Sequence, residues 1–300
     1  MFNTSLGSIF KNMNGALEID DDLYPAILKT IPDPPKILYW RGSLSKNIFD
    51  NCLSVVGSRK ITAYGERVVE KIFFDLLPNT TVVSGFMYGV DSKAHVQALR
   101  RGLKTIAVLP FGLNYCFTPE QKTLHDEIIA SGGLIISEYI NSSGPKTWTF
   151  LKRNRIVAGL GRVLLVIEAL ERSGSMYTAE YAHKIEREVC AVPGNIFCDT
   201  SKGCTQLLKT YANIVSSGLD INNIMHKGKI QLPFEENIEK INLKEGNEKN
   251  ILRALSISPK TIHEMSDTLS IPIKIIRNIV MLLSLEGYIY EKEGVYHIRT

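Results

Sequence analysis

Cys52-Leu53-Ser54-Val55-Val56-Gly57-Ser58-Arg59 is the stretch on which the fold turns. A short apolar run stops at Gly57, as a strand buried in a parallel sheet does. Beyond Lys60 to Tyr64 and Gly65, the residues Val68, Val69, Ile72, Phe73, Leu76 and Leu77 recur at helical spacing and form one apolar stripe. Gly57, Ser58 and Arg59 therefore stand where a strand hands over to a helix. Free backbone N–H groups and the positive end of a helix dipole meet at such a place. Glycine lets an anion approach the backbone, serine adds a donor and arginine adds a forked cation. The stretch reads as a phosphate seat.

The same alternation continues on the C-terminal side. Strands are expected over 53–57, 81–85, 104–110, 134–138, 163–169, 188–194 and 213–217, and helices over 63–77, 90–101, 119–131, 153–160, 175–187 and 204–210. That order predicts an α/β fold: an extended, Rossmann-like, parallel-rich sheet with helices on both faces. Upstream, residues 1–22 lack periodicity and read as a poorly ordered lead-in. Three prolines in Ile31-Pro32-Asp33-Pro34-Pro35 force an extended connector, and Ile37-Leu38-Tyr39-Trp40 reads as an edge strand.

Ligands of such sheets bind beyond the carboxyl ends of the strands. Gly57-Ser58-Arg59, Ser84-Gly85 and Ser173-Gly174-Ser175 all fall there, so three small, donor-rich loops converge on one crevice. Tight turns alone would also explain their composition. Lys152-Arg153-Asn154-Arg155 opens the expected helix over 153–160, where cations oppose the dipole and fit a bound anion; ion pairs with Glu138 or Glu168 are the other reading. Trp148 and Phe150 are core plugs or base-stacking platforms. Asp91 and His95, at i and i+4, can meet as a structural pair. No Walker A, H-E-x-x-H or true G-x-G-x-x-G spacing occurs.

Composition narrows the class. Three hundred residues, 44% apolar, suit two domains, and a net charge of +4 permits an anionic partner without demanding one. Five cysteines without C-x-x-C argue against zinc and against a disulfide framework. The absence of a bilayer-length apolar run and of a signal-peptide pattern makes a cytoplasmic protein the expectation. Residues 221–246 read as a linker. Helices over 249–255, 261–269 and 273–286, capped by Gly287, and a hairpin turning at Glu293-Gly294 make a small C-terminal winged-helix domain over 247–300. Seven Lys/Arg against six Asp/Glu in that segment leave contact with protein or with duplex DNA equally open.

These motifs together resemble the DNA-processing protein family DprA, also called Smf, over residues 23–218. They include Tyr24-Pro25, Val56-Gly57-Ser58-Arg59, Tyr64-Gly65, Gly89-Val90-Asp91, Ser137-Glu138-Tyr139, Phe150 with Arg153-Asn154-Arg155, Ser173-Gly174-Ser175 and Ala191-Val192-Pro193-Gly194. The resemblance implies a Rossmann-like single-stranded DNA-binding domain over 23–220 that forms a homodimer, protects incoming DNA in natural transformation and helps load the RecA recombinase. It implies no enzymatic activity, cofactor, metal or membrane attachment. It carries nucleic-acid contacts onto Gly57, Ser58, Arg59, Gly85, Phe150, Arg153, Asn154, Ser173, Gly174 and Ser175, with Lys146 or Lys152 supplying a basic contact near Phe150. The chain departs from the family where Phe86, Met87 and Tyr88 replace an expected arginine between Gly85 and Gly89, and where Leu151 replaces a proline. The same crevice also suits a nucleotide-binding sensor or hydrolase with Glu138 or Glu168 as acid/base.

Overall fold

The computed structural model describes residues 13–115, 117–140, 143–226, 247–285, 288–292 and 294–298. The chain divides into two compact units, Met1–Lys227 and Gly228–Thr300. In the first, β1 (Met13–Glu18), α1 (Ala26–Lys29) and β2 (Ile37–Gly42) precede β3 (Cys52–Val56). Then follow α2 (Ala63–Phe74), β4 (Thr81–Ser84), α3 (Val90–Arg100), β5 (Lys104–Leu109), α4 (Pro119–Ala130), β6 (Leu134–Ser137) and α5 (Thr147–Leu160). β7 (Val163–Val166), α6 (Gly174–Lys184), β8 (Glu188–Ala191), α7 (Asp199–Thr210), β9 (Asn213–Ile214) and α8 (Gly218–Met225) complete the unit.

One nine-stranded sheet holds these strands in the order β1-β2-β6-β5-β4-β3-β7-β8-β9. β1 and β2 run antiparallel to their neighbours, and β6 through β9 in that order are joined by parallel pairings. Alternate side chains of a strand face opposite ways, so each strand feeds two cores. Val56, Ile106, Val108, Leu164 and Val166 pack with Ile156, Val157, Met176, Ala179, Cys204 and Leu207 of α5, α6 and α7. Leu53, Val55, Val82 and Leu165 pack with Val69, Ile72, Phe73, Val90 and Ala94 of α2 and α3. Ala107, Leu109 and Ile135 meet Leu124 and Ile128 of α4. Helices thus cover both faces of an extended Rossmann-like sheet.

Four expectations need correction. The lead-in expected over residues 1–22 contains β1, which pairs with β2 along its length from Met13–Gly42 to Glu18–Ile37. β2 is consequently not an edge strand; backbone hydrogen bonding to a partner, invisible to periodicity, decides both points. The helix expected over 153–160 begins at Thr147. Its inward side carries Thr149 and Arg153 beside Ile156 and Leu160, while Trp148 and Leu151 face out, so apolar spacing hides the first two turns. Likewise α7 begins at Asp199, ahead of the expected 204.

The second unit carries α9 (Asn247–Ile257), α10 (Ile262–Leu269), α11 (Ile273–Leu285) and an antiparallel hairpin, β10 (Ile289–Lys292) with β11 (Val295–Ile298). Its own core joins Ile251, Leu252, Leu255, Met265, Ile276, Val280, Leu283 and Ile289. Three helices followed by a hairpin is the order of a winged helix. The linker expected over 221–246 is corrected at its start, where residues 221–225 close α8; residues 227–246, the Gly287 cap and Glu293 of the hairpin turn lie outside the described residues.

Candidate nucleic-acid interface

From β3 the chain winds through β4 and β5 to β6 on one side, and from β7 through β8 to β9 on the other. β3 and β7 are therefore neighbours whose connections depart in opposite directions. Such a switch point leaves a crevice beyond the carboxyl ends of the strands. A cavity of about 430 Å³ lies there, lined among others by Gly57, Ser58, Arg59, Phe150, Arg153, Asn154, Ser173, Gly174 and Ser175. Nine of the twelve residues singled out in the sequence thus meet in one place.

Several of their polar groups fasten the loops to one another. Ser175 Oγ donates to the Gly57 carbonyl at 2.8 Å, and Asn154 Nδ2 donates to the Gly174 carbonyl at 3.3 Å. Ser173 Oγ accepts from Met176 N at 3.4 Å and caps α6. Ser58 Oγ donates to the Lys60 carbonyl at 2.9 Å and accepts Lys60 N at 3.1 Å. These hydroxyls shape the crevice, and the amino end of α6 at Gly174 opens onto it. A helix of that length directs partial positive charge at whatever lies before its first turn.

Arg59 and Arg153 play different parts. Arg59 is exposed, with its guanidinium carbon 5.7 Å from the centroid of the Phe150 ring. Cation and aromatic face share the rim. Arg153 is only 3% exposed. Its Nη1 donates to the carbonyls of both Gly85 and Val108, and its Nε donates to Asn154 Oδ1 at 3.1 Å. The expectation of a free cation opening a helix is corrected here: Arg153 sits well inside α5 and binds the ends of β4 and β5. Burial lowers its pKa to about 10, and the adjacent Asp91 carboxylate acts against that shift. The same burial raises the pKa of Asp91, with Arg153 drawing it back.

Gly85 does not line the cavity; it lies beneath Arg153. A Cβ there would stand 2.6 Å from both Arg153 Nη2 and Asp91 Oδ2, so its missing side chain makes room for that pair and not for an anion. Lys146 immediately precedes α5 and is exposed, away from the lining. Lys152 points to Glu138 at 3.5 Å and is also outside the lining. Trp148 is exposed and meets Tyr139 edge-on with centroids 6.0 Å apart, so neither it nor Phe150 is a core plug. Lining residues absent from the sequence-based set include Lys60, Met87, Leu170 and Thr200. Charge next to Arg59 marks Lys60 in the sequence; the other three carry no local signal.

The acid/base candidates are held in structural contacts. Glu168 is buried and accepts from Thr62 Oγ1 at 2.6 Å, Thr62 N at 3.0 Å and Thr200 Oγ1 at 3.4 Å. Glu138 pairs with Arg155 Nη2 at 2.5 Å. His95 bonds Thr105 Oγ1 through Nδ1 at 2.7 Å, which corrects the expected pairing with Asp91. Among the described residues no cluster of three His, Cys, Asp or Glu is placed to hold a metal ion.

The family model for DNA recombination-mediator protein A matches residues 15–226. DNA processing protein DprA of Streptococcus pneumoniae is 40% identical over 206 residues, which span 69% of this chain and 72% of that protein. Its X-ray structure superposes with a TM-score of 0.66 at 38% identity, covering 70% of this chain and 73% of that one. A Helicobacter pylori DprA structure, described for its single-stranded DNA binding mode, superposes with a TM-score of 0.62 at 30% identity, covering 71% and 95%.

Proposed function

The chain belongs to the DNA recombination-mediator protein A family, and on that footing we propose that it binds single-stranded DNA in the crevice between the β3 and β7 loops without chemically altering it. The observation that carries this reading is Arg59 at the rim with its guanidinium over Phe150. A phosphate meets the Arg59 fork, the backbone of the β3 loop and the amino end of α6, while a base stacks on the Phe150 ring. Neither contact depends on which base is present, so the strand is held without sequence readout. The relative from Helicobacter pylori, whose structure is described for binding single strands, supports the choice of ligand. Protection of incoming DNA in transformation, loading of RecA, a homodimer and a cytoplasmic location complete the proposed role.

Titration of single- and double-stranded oligonucleotides against the intact protein and Arg59→Ala tests the reading. Single strands are expected to bind more tightly. The variant is expected to lose roughly 1.5–3 kcal/mol, the scale of a hydrogen bond to a charged group. With three or four phosphates engaged, the log–log salt slope is about −2 to −3. Equal binding by Arg59→Ala, or a flat salt response, overturns it. Release of base or sugar from a nucleotide, abolished by Glu168→Gln, would assign hydrolysis instead.

A further inference from the structure

We propose that the turn between β8 and α7 carries a second base-stacking platform, Phe197, which extends the track of the unpaired strand beyond the crevice. Phe197 is 88% exposed and its neighbour Ile196 is 76% exposed. The turn that presents them is well tied. Asn195 Oδ1 accepts from Phe197 N at 2.9 Å, and Cys198 N donates to the Asn195 carbonyl at 3.0 Å. An aromatic ring projected into water from a fastened turn forgoes the stabilisation that burial of its surface would bring.

Its location names the occupant. A cavity of about 400 Å³, lined by Thr62, Tyr64, Glu168, Asn195, Cys198 and Ser201 among others, lies at the foot of this turn. Its lining adjoins that of the crevice along two segments of chain. Lys60 lines the crevice while Thr62 and Tyr64 line the second cavity; Thr200 lines the crevice while Ser201 lines the second cavity. Tyr64 Oη donates to the Pro193 carbonyl at 2.5 Å and ties the α2 side to the β8 end. Since β3, β7 and β8 are consecutive in the sheet, the strands that lead into the loops bearing Arg59 and Phe197 are two strand spacings apart, ~10 Å. A strand leaving Phe150 therefore passes over hydroxyl and amide groups before it reaches a free aromatic face. Stacking on such a face tolerates any base. Thr62, Tyr64 and Ser201 bring hydroxyls and Asn195 an amide to this cavity, groups that hydrogen-bond to the sugar-phosphate chain of a polynucleotide.

The inference rests on the single-strand reading above, and the test separates the two. Intact wild type, Arg59→Ala, Phe197→Ala and Phe197→Tyr are titrated with an oligothymidylate of about 12 nucleotides, within the usual range of site sizes. An oligonucleotide bearing iodouracil is then photo-crosslinked to wild type. Phe197→Ala is expected to weaken binding roughly 5- to 100-fold, the fold-change equivalent of one lost stack. Phe197→Tyr is expected to bind as wild type, and crosslinks are expected at the peptide containing Phe197 as well as at Phe150. Undiminished binding by Phe197→Ala, with binding lost in Arg59→Ala, overturns the second platform and leaves the crevice standing. No binding by wild type overturns both. A changed sedimentation mass for Phe197→Ala with unchanged affinity overturns the platform and gives this turn to a second copy of the chain.

Discussion

Arg59 lies at the rim over Phe150, whereas Arg153 is buried and gives one nitrogen to two carbonyls at strand ends. Their substitution should therefore fail in different ways. Arg153→Lys loses the fork that reaches Gly85, Val108 and Asn154 together, and is expected to cost ~1–3 kcal/mol in urea unfolding while leaving the salt slope of DNA binding unchanged. Arg59→Ala is expected to leave the urea midpoint unchanged and to flatten that slope by ~0.7, one phosphate on a single strand. His95 sets a pH dependence. The Thr105 hydroxyl hydrogen goes to the Val82 carbonyl at 2.9 Å, so His95 Nδ1 carries the proton it shares with Thr105. Burial, with Arg153 adding to it, lowers the His95 pKa from 6.5 to about 3. The unfolded chain binds the extra proton, so His95 favours the fold above pH 6.5 and that contribution is lost as pH falls toward 3. Buried Asp91, with its pKa raised, works with the opposite sign: its contribution is present at low pH and lost as pH rises through its folded value. Urea midpoints measured from pH 7 downward are expected to fall below about pH 6.5 in wild type and to fall less in His95→Gln.

Among the elements, α2 and α5 place the crevice. Thr62 caps α2 by accepting from Gly65 N at 3.2 Å, and its own hydroxyl and N–H are held by Glu168 beyond β7. That clasp fixes the β3 loop against the β7 loop. Glu168→Ala removes a buried charge acceptor and is expected to lower stability by ~2–3 kcal/mol in urea. Glu168→Gln, which keeps one acceptor oxygen, is expected to cost less and to retain single-strand binding. α5 carries Phe150 and Asn154 and is pinned through Arg153 over Gly85. Gly85→Ala puts a methyl against the Arg153–Asp91 pair and is expected to cost ~1–3 kcal/mol, with weaker DNA binding because α5 and its ring must shift.

At the scale of the whole molecule, each unit has its own hydrophobic core. A chain ending at residue 227 is expected to unfold cooperatively in a circular dichroism melt and to keep salt-dependent binding of single strands, since every lining residue of the crevice lies before that point. Loss of that binding would place part of the site in the second unit. Among the described residues no helix is long and apolar enough to cross a membrane.

The apolar run 52–56, its stop at Gly57 and the strand–helix alternation that follows are local patterns, and they sufficed for the parallel sheet and for nine residues that line one crevice at its carboxyl edge. Local pattern failed wherever a residue's role depends on a distant partner. Met13–Glu18 becomes a strand because β2 offers it a ladder. Thr149 and Arg153 face inward because their polar atoms find partners, Arg153 at the ends of β4 and β5, and so α5 begins two turns before its apolar spacing does. Spacing along the chain reports which faces are apolar. Only the packed molecule decides which charges are satisfied inside it, as Arg153 is, and which remain at the surface, as Arg59 does, because desolvation and hydrogen bonding act between segments far apart in sequence.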